Sequence, residues 1–274
     1  MDRMRSLTRR TLLCAGAAGL AGTIGSASWS REPMKLSLDD YYLTFEETFK
    51  TLDISAHGPR TRWIAHTPWH GDFGDAIFTD PRAGFPFTIN DDGLQIEAHK
   101  GADGKWRSGL ICSMDKDGAG QHGFAQQFGY FEMRARLPDG PGVWPAFWLI
   151  GTDKSRYSSE IDVMEYYGAF PGYYHVTTHV WRKTDGNAGS DKTIAVPPHS
   201  LCTQLNDFGV SIDDNWTVFF LNRTEVQRWP TLDEFKQPMY MLANLALGGG
   251  WPIRELTSPQ YMQIRHMRAY QKKA

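Results

Sequence analysis

Apolar and polar side chains alternate with a period of two along much of this chain, the spacing that sends successive side chains to opposite faces of a strand. Between Gly129 and Leu137, Phe131, Met133 and Ala135 share one face, and Glu132, Arg134 and Arg136 share the other. The same period runs through Gly93-Leu94-Gln95-Ile96-Glu97-Ala98, and the run Gly109-Leu110-Ile111-Cys112-Ser113 reads as a further strand. Phe208 to Ile212 and Trp216 to Leu221 form a predicted hairpin around Asp213-Asp214-Asn215. A short helix is expected only at Thr231 to Phe235. Many short strands separated by turn residues predict an all-β fold, a two-sheet antiparallel jelly-roll sandwich.

One strand stands out for what it carries. In Glu160-Ile161-Asp162-Val163-Met164-Glu165, three carboxylates are interleaved with apolar residues just before Tyr166-Tyr167. Glu160 and Asp162 share a face, and Ile161 and Val163 take the core side. Unbroken alternation would turn Glu165 into the core, where an unpaired carboxylate is costly. One extra residue at Val163-Met164, a β-bulge, returns it to the acidic face, and bulges are frequent beside active sites. Like charges this close raise one another's pKa, so one acid can hold its proton near neutral pH while another stays ionised. Glycoside hydrolysis needs that division. One carboxylate attacks the sugar and the other protonates the departing oxygen, with retention when the two stand roughly 5–5.5 Å apart.

With its flanks, this stretch resembles glycoside hydrolase family 16, whose signature is a Glu-x-Asp-x-x-Glu run on a bulged strand. Upstream the likeness is carried by Phe128-Gly129-Tyr130-Phe131-Glu132-Met133-Arg134-Ala135-Arg136-Leu137-Pro138 and Gly142-Val143-Trp144-Pro145-Ala146-Phe147-Trp148-Leu149. Downstream it is carried by Asn244-Leu245-Ala246-Leu247-Gly248-Gly249-Gly250-Trp251-Pro252. The resemblance implies a retaining endo-β-glycanase hydrolysing internal β-1,3 or mixed β-1,3/1,4 linkages of a glucan or related exopolysaccharide. Glu160 would be the nucleophile, Asp162 its electrostatic helper, and Glu165 the general acid and then base. The alternatives are a transglycosylase on the same substrates, or a non-catalytic lectin built on the same sandwich. Calcium ligation by the three acids fits poorly, because the run lacks the flexible Asp/Asn/Gly loop that wraps the ion.

Trp144, Trp148 and Trp251 are expected against sugar rings, since the apolar face of a pyranose stacks on indole while the N–H remains free to hydrogen-bond. One of the first two can instead belong to the core. The resemblance puts His179 on the strand beside the acids, either bonding the acid or the substrate or satisfied in the core, and makes Asn244 a candidate for a hydroxyl contact. Residues 57–87, with His57, His66, Trp69 and several Gly and Asp, read as a loop that overhangs the sugar groove in the family, each of its aromatics equally open to covering the core instead. Two positions depart from the family pattern. Leu110 follows Gly109 where a charged sugar-binding residue is frequent, and Arg265 stands where an Asp commonly helps ligate a structural calcium. No cofactor or metal is expected, and Arg265 disfavours the calcium.

Composition changes the picture at the N-terminus. Arg3, Arg5, Arg9 and Arg10 precede an Ala- and Gly-rich run from Thr11 to Ile24, so residues 1–27 read as an export signal. Thr8-Arg9-Arg10-Thr11-Leu12-Leu13 resembles the bacterial twin-arginine type. Residues 28–274 are then expected to be a single domain working in the periplasm or outside the cell. The whole chain has 29 basic and 31 acidic side chains, of which the signal holds four and one, leaving a net charge of −5. That balance argues against nucleic acid or an anionic membrane surface as partner. The expected partner is a polysaccharide, met by a monomer with no membrane insertion after signal removal. Cys112 and Cys202 follow the signal, and spacing leaves a bridge and two buried thiols equally open.

Overall fold

The computed structural model describes residues 32–69, 71–118, 122–184 and 186–273. The segment read as an export signal lies outside them. Strand Gly129–Arg136 shows how the alternation is used: Phe131, Met133 and Ala135 are fully buried in the main core, while Arg134 and Arg136 reach towards water. Its sheet has ten strands. Across it run Thr224–Pro230, Trp216–Leu221, Asn206–Ile212, Gly129–Arg136, Gln260–Lys272, Gly93–Lys100, Trp106–Ser108 and Ala76–Phe78. Tyr41–Glu47 also pairs with Gln260–Lys272, and Phe87–Asn90 with Gly93–Lys100.

The second sheet has eight strands, in the order Ala188–Ala195, Tyr173–Arg182, Tyr157–Glu165, Val143–Gly151, Met239–Leu247, Leu110–Cys112, Trp63–Ile64 and Ile54–Ser55. Pairing is antiparallel except between the last two, and between Ala76–Phe78 and Trp106–Ser108. This is the two-sheet jelly-roll sandwich that the pattern predicted. Phe147, Leu149, Ile161 and Val163 of the eight-stranded sheet meet Leu94, Ile96, Phe131 and Met133 of the ten-stranded one in one core. Truncating a fully buried ring there, as in Phe147→Ala, costs about 3–5 kcal/mol.

The helix expected at Thr231 to Phe235 is a single 3₁₀ turn, Asp233–Phe235, and one α-turn lies at Ser200–Thr203. The turn after Trp216–Leu221 uses Asn222 and Arg223, both at positive φ (51° and 59°). Arg223 is the costlier of the two there, and its side chain supplies a compensation. Its guanidinium forks onto the fully buried Glu132 at 2.9 and 3.0 Å, where Tyr130 Oη also donates at 2.9 Å. Burial alone would raise the Glu132 carboxyl, but bonds from His266, Arg223 and Tyr130 hold it down at about 2. Arg265 carries its guanidinium against the Asp91 carbonyl and 3.7 Å from Asp92, so that position offers a cation where a calcium would need a ligand. Cys112 and Cys202, the cysteines among the described residues, are free thiols, and burial pushes Cys112 up to about 12 and Cys202 to about 11.

The eight-stranded sheet buries apolar residues on both faces. Away from the main core, Trp144, Ala146, Trp148 and Ile150 pack with Tyr240, Leu242, Leu110 and Cys112 in a second cluster. Continuous apolar runs on its central strands, rather than alternation, are what a sheet covered on two sides requires.

Candidate active site

Strand Val143–Gly151 records the register of its neighbour Tyr157–Glu165. Ile150 lies opposite Glu160 and Trp148 opposite Asp162, but Phe147 then meets Met164 and Ala146 meets Glu165. Val163 is the extra residue. Pairing with Tyr173–Arg182 shifts at the same place, with Thr177 opposite Asp162 and His175 opposite Glu165. The expected bulge is therefore present, and it sends Ile161, Val163 and Met164 to the main core while Glu165 rejoins the face of Glu160 and Asp162. Side-chain rows then cross the sheet. His179, Glu160, Ile150 and Tyr240 form one, Thr177, Asp162, Trp148 and Leu242 the next, and His175, Glu165, Ala146 and Asn244 the third.

All three acids are buried, and the outer two are held by indoles. Trp181 donates its N–H to Glu160 Oε2 at 3.0 Å. Trp144 donates to Glu165 Oε1 at 3.1 Å, and the Tyr167 hydroxyl reaches the same oxygen at 3.3 Å. Asp162 lies between them. Burial, then the charges of Glu165 and Glu160, raise its carboxyl well above the usual range, against a smaller pull downward from His179. His179 Nε2 stands 3.4 Å from Asp162 Oδ2, which has no hydrogen-bond partner among the described residues. Burial and two acidic neighbours therefore disfavour the charged form of Asp162.

The profile described as Glycosyl hydrolases family 16 matches residues 87–267, which include the bulged strand and all three acids. The chain belongs to glycosyl hydrolase family 16. It is 30% identical over 261 residues to the endo-1,3-1,4-beta-glycanase ExsH of Rhizobium meliloti, covering 86% of this chain and 53% of that protein. It is 28% identical over 155 residues to a beta-glucanase of Rhodothermus marinus, covering 48% and 52%. The chain spans about half the length of the curated relatives it matches. Among solved structures, the laminarinase catalytic domain of Thermotoga maritima is similar at a TM-score of 0.68 and 20% identity, over 86% of this chain and all (100%) of that one. At that identity the likeness shows the shared fold.

Of the other residues expected at this family 16 site, Trp144, Trp148 and Asn244 are buried, whereas His179 lies on the strand beside the acids and Trp251 is exposed. Trp144 and Trp148 are each 5% exposed, and neither keeps a free N–H, since Trp148 donates to Asn244 Oδ1 at 2.8 Å. Asn244 is a candidate for a sugar-hydroxyl contact by sequence. It is fully buried instead, its Oδ1 accepting from Trp148 and its Nδ2 3.4 Å from the Trp144 carbonyl, so it links the two tryptophans. His179 lies beside Glu160 in the register and stacks on Trp181, with centroids 4.7 Å apart. Trp251 is 41% exposed and packs edge-on against Phe170, leaving an aromatic pair open to solvent.

Trp181, Tyr167 and Lys154 were not foreseen. Trp181 and Tyr167 lie in stretches read as strand and strand end, but nothing local says that their polar atoms aim at Glu160 and Glu165. Ligand atoms of Glu160, Asp162 and His179 lie within 4.8 Å of one another, which is near enough for a small cation. Calcium wants six to eight oxygens, and this set offers two carboxylates and an imidazole, so it does not suit that ion.

Proposed function

We propose that this protein is a retaining endo-β-glycanase that cleaves internal β-1,3 or mixed β-1,3/1,4 linkages of a glucan or a related exopolysaccharide. The observation that carries this reading is the bulge at Val163, which gathers Glu160, Asp162 and Glu165 onto one face. Glu160 attacks the anomeric carbon as nucleophile, and Glu165 gives its proton to the departing oxygen and then takes one from water. The Trp181 N–H keeps the Glu160 carboxylate aimed before attack and costs no reorganisation when the bond forms. Asp162, whose charged form burial and the two glutamates disfavour, stands between them on the same face. The relatives named for endo-1,3-1,4-beta-glycanase and beta-glucanase activity support the linkage class.

Action by a monomer outside the cytoplasm, without a metal, belongs to the same proposal. Support for the export part is the run of arginines ahead of the Ala- and Gly-rich stretch at the N-terminus. Cell fractionation checks the first part and chelator treatment the last.

The deciding experiment is a reducing-end assay on laminarin and lichenan with wild type, Glu160→Ala and Glu165→Ala. Wild type is expected to release new ends, and each variant to lose turnover. Azide is expected to revive only Glu160→Ala, yielding a glycosyl azide of inverted configuration. Undiminished hydrolysis by either variant sinks the assignment. Binding by folded wild type with no release of ends would make the protein a lectin.

A further inference from the structure

Lys154 has no task in that mechanism, yet it stands in the same groove. It lies on the link between Val143–Gly151 and Tyr157–Glu165. Its Nζ donates to the Tyr240 hydroxyl at 2.8 Å and stands 4.0 Å from the centre of the Trp69 ring. Tyr240 shares the row of Glu160, and Trp69 meets Trp148 edge-on at 6.3 Å, which places the cation on the face of the acids at the Glu160 end.

A lysine drawn partly out of water normally sits against a carboxylate. Lys154 forms no such ion pair among the described residues; it is held by Tyr240 and the Trp69 ring face, with the Cys112 thiol and the Glu160 charge acting on it from further off. That burial lowers it to about 8, so at neutral pH the ammonium remains mostly charged. Only one of its three protons is committed to Tyr240. Beside it, Trp69 is 47% exposed, a platform that a sugar can reach.

We propose that Lys154 and Trp69 form a specificity site for an anionic substituent, a carboxylate or a sulfate, carried by the polysaccharide. The favoured polymer is then an acidic glycan rather than a plain glucan, although the chain outside its leader is itself net negative. Trp69 takes the apolar face of the sugar, and the ammonium takes the charge. Glu160 repels an anion placed over it, so the substituent belongs to the sugar beside the one being cleaved. This inference rests on the groove being the glycan-cleaving site.

The test compares unmodified β-1,3-glucan with carboxymethylated and sulfated forms of the same backbone, for wild type, Lys154→Gln and Lys154→Arg. The ratio of kcat/KM for a charged over the neutral glucan is expected to fall about tenfold in Lys154→Gln, the size of a hydrogen bond to a charged group, and mainly through KM. Lys154→Arg keeps the charge and is expected to stay nearer wild type. The carboxymethyl and sulfate arms show which anion is read. An unchanged ratio in Lys154→Gln on both charged polymers overturns the proposal, even if overall activity falls. If wild type cleaves none of the polymers, the catalytic reading fails on its own. The same ratio, taken from dissociation constants by calorimetry, then decides the role of Lys154.

Discussion

Trp181 donates its indole N–H to Oε2 of Glu160 across 3.0 Å. The two residues are 21 positions apart and on neighbouring strands, so this bond is a product of pairing and not of local sequence. Trp181→Phe keeps a ring against His179 and removes only the donor. A hydrogen bond to a charged group is worth roughly 1.5–3 kcal/mol, so kcat is expected to fall about 10- to 100-fold with KM changed much less. Steady-state kinetics on laminarin checks the split, and an equal rise in KM would mean that Trp181 serves binding instead.

Asn244→Leu leaves the buried N–H of Trp148 without its acceptor. The expected cost is about 1–3 kcal/mol of folding stability, read from urea unfolding. Because Asn244 also braces Trp144, which holds Glu165, activity is expected to drop at temperatures where the variant is still folded.

Gly249 has φ +60°, and a Cβ there would lie 2.7 Å from the Tyr167 ring and 2.8 Å from the Trp144 ring, both donors to Glu165. Gly249→Ala is expected to push these rings off the acid. Misplacement by about 1 Å can cost 100-fold in rate. The loss should appear in kcat/KM at temperatures where the variant is still folded, since the added Cβ also strains the backbone at φ +60°.

Glu132 links stability to acid. Its folded carboxyl sits near 2 against an ordinary 4.5, so its contribution is fully present above pH 4.5 and is lost as pH falls towards 2. The whole effect is about 3 kcal/mol. Urea unfolding of wild type and Glu132→Gln should therefore show a gap at pH 7 that narrows steadily below pH 4.5. A constant gap would mean that the residue matters for packing alone.

Lys154 gives the opposite dependence at the alkaline end. A lysine lowered to about 8 is charged below that pH and neutral above it. Facing it are Tyr240, Glu160 and Cys112, and burial raises both the tyrosine and the thiol far above this range. Preference for a charged over a neutral glucan should therefore fade between pH 7 and 9. A preference that is flat over that interval would remove the ammonium from the recognition.

The amino-acid order by itself determined the sandwich, the acidic strand and the bulge, because each is written in nearest-neighbour periodicity. Alternation sets which face a side chain takes, and one supernumerary residue between Asp162 and Glu165 is enough to show where the period breaks. Tertiary structure decided what stands beside each acid. Trp181 on Glu160, Asn244 between the Trp148 indole and the Trp144 carbonyl, and Lys154 at the end of a row depend on the lateral register of four strands. Register is set by packing across the sheet, over separations of up to about a hundred residues, as between Trp144 and Asn244. The fate of the Asn244 amide shows the same limit: a polar residue in an apolar strand reads equally as a ligand for sugar or as a buried brace. Only the neighbours that the fold brings to it tell which one it is.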